Sequence, residues 1–241
     1  SAKVLPAAAA RGILGPEYRF TPNVYPDRPP HGGTIGTLYV AGTGDPMLVD
    51  EDLAQAAMEL FRRGVRRIAD GIVIDNSYFD SYEYPRKQTG EGRAYTARTA
   101  ATAVDYNSVV VVVGPGKKVG GPADVKLDPP SPFTKVVNRV VTGGKFHIVI
   151  ALSEEGRQPV VTVTGRVPPK FEPQEQRRSV EDPAAYAASV IGYWLSEAGI
   201  AVGPNLREGR VPAGAHGILA WESKPLAGIV EGMNKKSINF I

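Results

Sequence analysis

Three runs rich in β-branched residues lie in the middle of the chain and restrict the folds open to it. They span residues 109–113, 145–152 and 159–167. A Gly-Gly pair precedes the second run, and a Glu-Glu-Gly triplet separates the second from the third. Side chains branched at Cβ fit the pleated surface of a sheet, and glycine-containing clusters mark turns. The pattern predicts three strands in a largely antiparallel sheet.

Two helices with recognisable ends accompany these strands. Asp50 precedes an amphipathic segment that ends with Arg62, Arg63 and Gly64. Its apolar side chains recur at helical spacing: Leu53, Ala56, Ala57, Leu60 and Phe61. A second helix begins at Asp182-Pro183, where a capping residue precedes a proline in the first turn, and it ends at Gly199. Helices and strands therefore mix along the chain, as in an α+β fold.

The remaining segments are shorter or less regular. Strands are predicted at 19–25, 34–41, 71–75 and 200–202, and the proline-rich residues 26–30 are expected at a domain boundary. Residues 77–102 are polar with weak periodicity, which indicates a long surface excursion. The Gly-Thr-Gly-Asp-Pro segment at 42–46 lacks the lysine of a phosphate loop and is interpreted as a turn.

Composition excludes several classes of function. The chain has no cysteine, so it has neither disulfides nor thiol chemistry. Its net charge is only +3, and no basic cluster is interleaved with aromatic residues, so nucleic acid is not expected as a partner. The longest purely apolar run, 109–113, is far too short to cross a bilayer. His31, His147 and His216 are isolated from one another, so we expect no metal site and no cofactor.

The two ends of the chain carry the only spacing that suggests catalysis. Residues 3–14 predict an alanine-rich helix that Gly15-Pro16 ends, and its small side chains suit a buried central helix. Near the other end, a helix-like apolar run is followed by Ser237-Ile-Asn239. Positions i and i+2 of a helix point about 200° apart, so Ser237 and Asn239 share a cleft only if the chain leaves the helix there. A plain helix end with a polar cap is the alternative.

Several blocks in a fixed order resemble one family. They lie at 3–20, 36–48, 71–80, 103–116, 163–168, 179–202 and 222–241. The first reads KVLPAAAARGILGPEYRF and the last ESKPLAGIVEGMNKKSINFI. In this order they are similar to the class C low-molecular-weight penicillin-binding proteins, the D-alanyl-D-alanine carboxypeptidases and endopeptidases related to penicillin-binding protein 4.

The resemblance implies an α+β architecture with a β-lactamase/transpeptidase-like catalytic domain, only partly present, interrupted by two mainly β inserted domains. On this pattern residues 1–23 and 212–241 belong to the catalytic domain. One inserted domain comprises 24–45 and 105–211. The other comprises 46–104.

The resemblance also implies acyl transfer with a serine nucleophile that attacks the terminal D-Ala-D-Ala bond of peptidoglycan peptides. Lys3 would take the proton of that serine, Ser237 would relay it to the leaving amine, and Asn239 would hold the substrate amide. β-Lactam antibiotics would enter the same path as covalent inhibitors. The family works outside the cytoplasm, so we expect an exported protein of the periplasm or extracytoplasmic envelope, and peripheral membrane association is compatible with it.

Two elements of the family pattern fall outside the sequence. Counting back from Lys3 places the nucleophile one residue before Ser1, and the i, i+2 spacing from Ser1 to Lys3 argues against Ser1 itself. The Lys-Thr-Gly motif is expected beyond Ile241. We therefore expect this chain alone to be an incomplete enzyme. Two alternatives stay open: a non-catalytic module that binds or scaffolds the cell wall, and a β-lactamase or esterase on the same fold.

Overall fold

The computed structural model describes residues 3–79, 97–156 and 158–236. The helices are α1 (Val4–Leu14), α2 (Asp50–Arg62), α3 (Pro183–Glu197) and α4 (Leu226–Lys236). The first strands are β1 (Asn23–Pro26), β2 (Thr34–Ala41), β3 (Arg67–Asp75), β4 (Ser108–Gly114), β5 (Asp124–Asp128) and β6 (Lys135–Thr142). The others are β7 (His147–Glu155), β8 (Gln158–Val167), β9 (Gln174–Ser179), β10 (Ala201–Val202), β11 (Asn205–Glu208) and β12 (Leu219–Ala220). A 3-10 turn (Asp105–Asn107) precedes β4.

A six-stranded mixed sheet forms the first half of the core, in the order β10-β3-β2-β1-β12 with β11 also paired to β3. β2, β10 and β11 run parallel to β3, whereas β1 is antiparallel to β2 and β12. The last five residues of β3 are all buried, which is typical of a parallel strand covered on both faces. Gly71 in β3 has a φ of +145°, and a Cβ there would lie 2.0 Å from the Asn205 carbonyl oxygen, so only glycine fits beside β11.

Helices α2 and α3 pack on this sheet and confirm the two predicted helices. α2 buries Leu53, Ala57 and Leu60 on one face. α3 follows Asp182, whose Oδ1 accepts a hydrogen bond from the Ala185 N–H at 2.9 Å. α3 contacts β3, β10 and β11 on one side and β8 and the 3-10 turn on the other. It therefore joins the large sheet to the rest of the molecule.

The three predicted β-runs are strands β4, β7 and β8, and β7 and β8 pair antiparallel as predicted, but the prediction that all three share one sheet is wrong. β4 lies between β5 and β9, so both of its hydrogen-bonding edges are occupied. β7 and β8 belong to a separate sheet, in the order β6-β8-β7, where β6 runs parallel to β8. β9 reads QEQRRS, which has no apolar residue, and β5 reads DVKLD, a polar-apolar alternation of only five residues. Neither strand was predicted, so the pairing of β4 with them was not predicted either.

The proline-rich residues 26–30 connect β1 to β2, which pair antiparallel, rather than separating two domains. β3, from the segment assigned to one inserted domain, also pairs with β2 and β11 from the other. The division into domains stays a prediction. Most of the polar segment 77–102 lies outside the described residues. None of the helices in the described part of the chain is long and apolar enough to span a membrane.

Candidate active site

Lys3 stands at the start of α1, where its carbonyl oxygen accepts the Ala7 N–H at 3.2 Å. The half-buried positions here are Lys3, Ala7 and Ala10, at spacing i, i+4 and i+7. These three residues lie on one narrow face that runs from the first turn to the last. Lys3 is thus on the covered side of the helix.

The expectation that α1 is a buried central helix is wrong for the chain as it stands. No residue of α1 is buried, and Leu5 and Ile13 are 79% and 82% exposed. Its described neighbour is α4, which meets only part of its circumference. The larger apolar side chains of α1 point away from that contact. They therefore have no apolar surface to cover them among the described residues.

Helix α4 begins beside the segment that follows α1. The Leu226 N–H donates to the Tyr18 carbonyl at 2.8 Å, and the Ala227 N–H donates to the Pro16 carbonyl at 2.9 Å. These two bonds satisfy amides that a helix start otherwise leaves without partners. Ser223 strengthens the junction, because its Oγ accepts the Phe20 N–H at 3.0 Å. The segment after α1 and the start of α4 are therefore joined in space.

The contacts of α1 and α4 favour an antiparallel pair. Each helix has 11 residues, which corresponds to a length of about 16 Å. α4 buries Leu226, Ile229 and Met233 at spacing i, i+3 and i+7, which is one face along its whole length. α4 starts beside the segment that follows α1 and the two helices contact each other, so an antiparallel arrangement would bring the end of α4 towards Lys3. Ser237 and Asn239 follow that end, but they lie outside the described residues, so their meeting with Lys3 stays a prediction.

A second polar cluster, which the sequence did not reveal as a unit, lies at the 3-10 turn. Asp105, Tyr106 and Asn107 have φ values of 48°, 59° and 49°, a left-handed run that is unusual outside glycine. Asp105 Oδ1 accepts the Asp50 N–H at 3.3 Å, and Asn107 Nδ2 donates to the Arg98 carbonyl at 2.7 Å. The only sequence signal was the presence of Asp and Asn, which tolerate this conformation better than other residues.

The carboxyl groups of this cluster ionise less readily than usual. Burial, and then the negative charge of Asp50, raise the pKa of Asp105 to about 7. Burial and the neighbouring Glu51 raise the pKa of Asp50 to about 6, and burial raises the pKa of Asp45 to about 6. These groups connect α2 and the 3-10 turn. No nucleophile or base is paired with them by the hydrogen bonds described, so we interpret the cluster as structural.

A groove of about 400 Å³, measured with its opening to solvent, lies between β4, β7, β8 and the start of α3. It is mostly apolar, with Glu154, Glu181 and Asp182 among its lining residues. Burial, followed by the charges of Asp182 and Glu181, raises the pKa of Glu154. None of the lining residues comes from α1 or α4, so the groove is separate from the predicted catalytic residues. Within the described ranges, no group of three or more His, Asp or Glu side chains is arranged to hold a metal ion.

Comparison with known proteins decides the family. The profile of the D-Ala-D-Ala carboxypeptidase 3 (S13) family matches residues 1–241, the whole of the sequence. The chain belongs to this S13 peptidase family. The resemblance to penicillin-binding protein 4 and its relatives is therefore confirmed.

Named relatives of this S13 chain agree with the assignment. A D-alanyl-D-alanine carboxypeptidase of Actinomadura sp. (strain R39) is 32% identical over 222 residues, which cover 88% of this chain and 41% of the relative. The D-alanyl-D-alanine carboxypeptidase DacB of Haemophilus influenzae is 25% identical over 253 residues, which cover 99% of this chain and 51% of the relative. The chain thus spans about half the length of the curated relatives it matches, or somewhat less.

Solved structures show the fold. Penicillin-binding protein 4 (dacB) from H. influenzae matches with a TM-score of 0.75 at 23% identity, over 99% of this S13 chain and 53% of that protein. The same protein complexed with a β-lactam matches with a TM-score of 0.70. The mixed α and β content with several sheets agrees with that architecture.

Proposed function

We propose that this S13 chain is part of a serine-type D-Ala-D-Ala carboxypeptidase or endopeptidase that cleaves peptidoglycan stem peptides through an acyl-enzyme. The observation that carries the proposal is the family match over residues 1–241, because it includes both ends of the sequence where the catalytic residues are expected. The names of two relatives, both D-alanyl-D-alanine carboxypeptidases, support it.

The junction of α1 and α4 supports the proposed roles of the residues. Lys3 is half-buried on the same narrow face of α1 as Ala7 and Ala10, and the segment with Ser237 and Asn239 follows α4 directly. Lysines act as bases in enzymes where burial and neighbouring cations favour the neutral amine. In this site a serine hydroxyl would add to the carbonyl of the D-Ala-D-Ala bond while Lys3 accepts its proton. Ser237 would pass a proton to the departing amine, and Asn239 would bind the substrate amide.

Water would complete the cycle by attacking the ester that links the stem peptide to the serine. Attack of the serine on a β-lactam carbonyl would open the ring and leave a similar ester. A slow reaction of this ester with water would make the antibiotic an inhibitor; the H. influenzae protein has been solved in complex with a β-lactam. No step requires a metal or an organic cofactor.

Packing supports assignment of α1 and α4 to a catalytic domain, whereas β12 pairs with β1 and Ile218, Leu219 and Trp221 pack on the apolar cluster of the sheets. Leu226, Ile229 and Met233 are buried, but they are not members of the apolar cluster that joins the three sheets. The exposed apolar side chains of α1 fit a helix that further parts of a catalytic domain would cover. Residues 24–211 would then be inserted into that domain. A protein with this substrate would act in the cell envelope, in the periplasm or at another extracytoplasmic site.

Labelling of the folded full-length protein with a fluorescent penicillin tests the proposal. We expect peptide mapping to find the label on a serine directly before residue 1, and Lys3→Ala to abolish it. Lys126→Ala is the matched control, since Lys126 is an exposed lysine paired with Asp124 at 2.8 Å in β5. Thermal melting of both variants would separate lost chemistry from lost folding.

Failure of the folded wild-type protein to react would contradict the enzyme assignment and favour a non-catalytic module that binds the cell wall. Rapid release of the label with turnover of penicillin would instead favour a β-lactamase or esterase. Persistence of the label in Lys3→Ala would show that Lys3 is not the base.

A further inference from the structure

The outward face of the β6-β8-β7 sheet brings distant basic residues together. Arg139 in β6 lies opposite Thr164 in β8, and Arg166 lies two residues further along β8. Side chains two residues apart on a strand share a face, so both arginines point the same way. With strands about 4.8 Å apart and a rise of about 3.3 Å per residue, their Cα atoms are about 8 Å apart.

Two connections add lysines to the same end of the sheet. Lys145 lies in the turn from β6 to β7, where a Cβ on Gly144 would be 3.2 Å from Arg166 Cδ. The loop with Lys117 and Lys118 is fixed to the end of β6, because the Gly120 N–H donates to the Thr142 carbonyl at 2.7 Å. Phe171 stacks on Phe146 at 4.7 Å and thereby places the neighbouring Lys170 beside this turn. We define the basic end by its six members: Lys117, Lys118, Arg139, Lys145, Arg166 and Lys170.

Two carboxylates border the basic end, but among the described residues neither forms an ion pair with its members: Asp124 pairs with Lys126 at 2.8 Å, and Glu172 lies two residues after Lys170. Residues 114–123, 139–147 and 164–170, which build it, contain no Asp or Glu. None of its six members forms an ion pair within the described parts of the chain. At the opposite end of the same sheet, by contrast, Lys135 pairs with Glu155 at 2.8 Å. All six members are exposed to solvent.

This concentration of charge is notable in a chain whose net charge is only +3. Like charges repel one another, so a cluster without counter-charges favours a bound anion. Exposed valines accompany the cations: Val119 and Val141 are 72% and 40% exposed. The described hydrogen bonds hold the backbone of the loop with Lys117 and Lys118 against β6, the strand that carries Arg139.

We propose that the basic end binds a linear polyanion that carries repeated phosphate or carboxylate groups. The surface extends over two strands, the turn between β6 and β7 and two adjoining loops, and this spread suits a chain of anions better than a single ion. Binding here does not depend on the acyl-transfer site, since the basic end shares no residue with α1 or α4. An envelope protein that binds an anionic polymer in this way would be held beside it while the other domain works.

Titration of the folded protein with fluorescently labelled inorganic polyphosphate, at several salt concentrations, tests the proposal. We expect wild-type binding that weakens as salt rises, because each contact releases counterions from the polymer. The double variant Arg139→Gln/Arg166→Gln should bind about tenfold more weakly at low salt, with a slope of log K against log salt reduced by about 1 to 2. A parallel titration with labelled poly-L-glutamate distinguishes carboxylate from phosphate groups. Equal affinity for the two polymers indicates that the surface binds either kind of anionic chain, and weaker binding of poly-L-glutamate indicates a preference for phosphate.

The control is Arg67→Gln/Arg207→Gln, which removes two exposed arginines from β3 and β11 in the other sheet. Its affinity should stay within about twofold of wild type. Absence of polyphosphate and poly-L-glutamate binding at low salt, or an equal loss in both double variants, would overturn the proposal. Penicillin labelling should be the same in all these proteins, which separates failure of this proposal from failure of the enzyme assignment.

Discussion

Replacing Asp105 with Asn should stabilise the protein at neutral pH. Asp105 lies in the left-handed turn with a φ of 48°, and Asn is among the residues that best tolerate this conformation. The Asn carbonyl oxygen can still accept the Asp50 N–H that Asp105 Oδ1 accepts at 3.3 Å. The variant therefore removes a charge and keeps this hydrogen bond, while its NH2 group takes the place of the buried Oδ2, which has no hydrogen-bond partner among the described residues.

The size of the effect follows from the pKa of Asp105. Burial and then the negative charge of Asp50 raise this pKa to about 7, and the positive charge of Arg177 opposes the rise. An unfolded aspartate has a pKa of about 3.9. Between about pH 4 and pH 7 the folded protein therefore holds a proton that the unfolded chain has lost, so stability falls as pH rises through this window. About 3 pKa units correspond to about 4 kcal/mol, and we expect about 2 kcal/mol because Asp105 is only half-buried and water screens its charge.

Urea unfolding at pH 4.5 and pH 7.5 measures this contribution. Wild type should be less stable at pH 7.5, and Asp105→Asn should recover about 2 kcal/mol there, or a melting temperature higher by about 4 to 8 °C. At pH 4.5 the two proteins should be nearly equal. Glu172→Gln, which neutralises an exposed carboxylate, should leave the free energy of unfolding unchanged at both pH values. A variant no more stable than wild type at pH 7.5, or a wild type that gains stability between these pH values, would refute the reasoning.

Two further substitutions test the packing of the fold by urea unfolding. Asp182→Ala removes the acceptor of the Ala185 N–H at the start of α3 and should lower the free energy of unfolding by about 1 kcal/mol. Asp182→Ser keeps a capping oxygen and should retain most of that stability. Equal stability of wild type and both variants would show that the cap contributes nothing. Gly165→Ala should cost about 3 kcal/mol or more, because its φ is +130° and the new Cβ would lie 1.9 Å from the His147 carbonyl oxygen. Gly156→Ala, at a φ of +67° with open space around it, should cost only about 1 to 2 kcal/mol, so equal losses would contradict the predicted clash.

Local patterns predicted the elements whose signals are short-range. The helices α2 and α3 follow from capping residues and apolar periodicity, and β4, β7 and β8 follow from β-branched runs. Side-chain alternation and caps depend on neighbours in sequence, so they can be recognised there. Strand β9 has no apolar side chain, and the alternation in β5 is only five residues long, so neither was predicted; both pair with β4, which lies between them.

For the candidate site too, the sequence predicted some features, and others depended on long-range contacts. The resemblance alone selected Lys3, Ser237 and Asn239, and it led to the family that the profile confirms. No local pattern predicted that the first amides of α4 would donate to the carbonyls of Pro16 and Tyr18, because this contact joins two segments about 210 residues apart in sequence. Burial of α1 was also wrongly predicted, because an alanine-rich sequence permits close packing but does not supply the surface that covers it.

The sequence by itself determined the family, the main helices and the residue types of the proposed chemistry. Only the tertiary structure decided which strands pair, how the segment after α1 meets the start of α4 and where charge accumulates. The basic residues are spread along the chain and nearly balanced by acidic ones, so composition indicates no anion partner. Parallel pairing of β6 with β8 and the loop held against Thr142 collect six of them in one place. Long-range pairing sets such distances, and no local rule of the sequence encodes them.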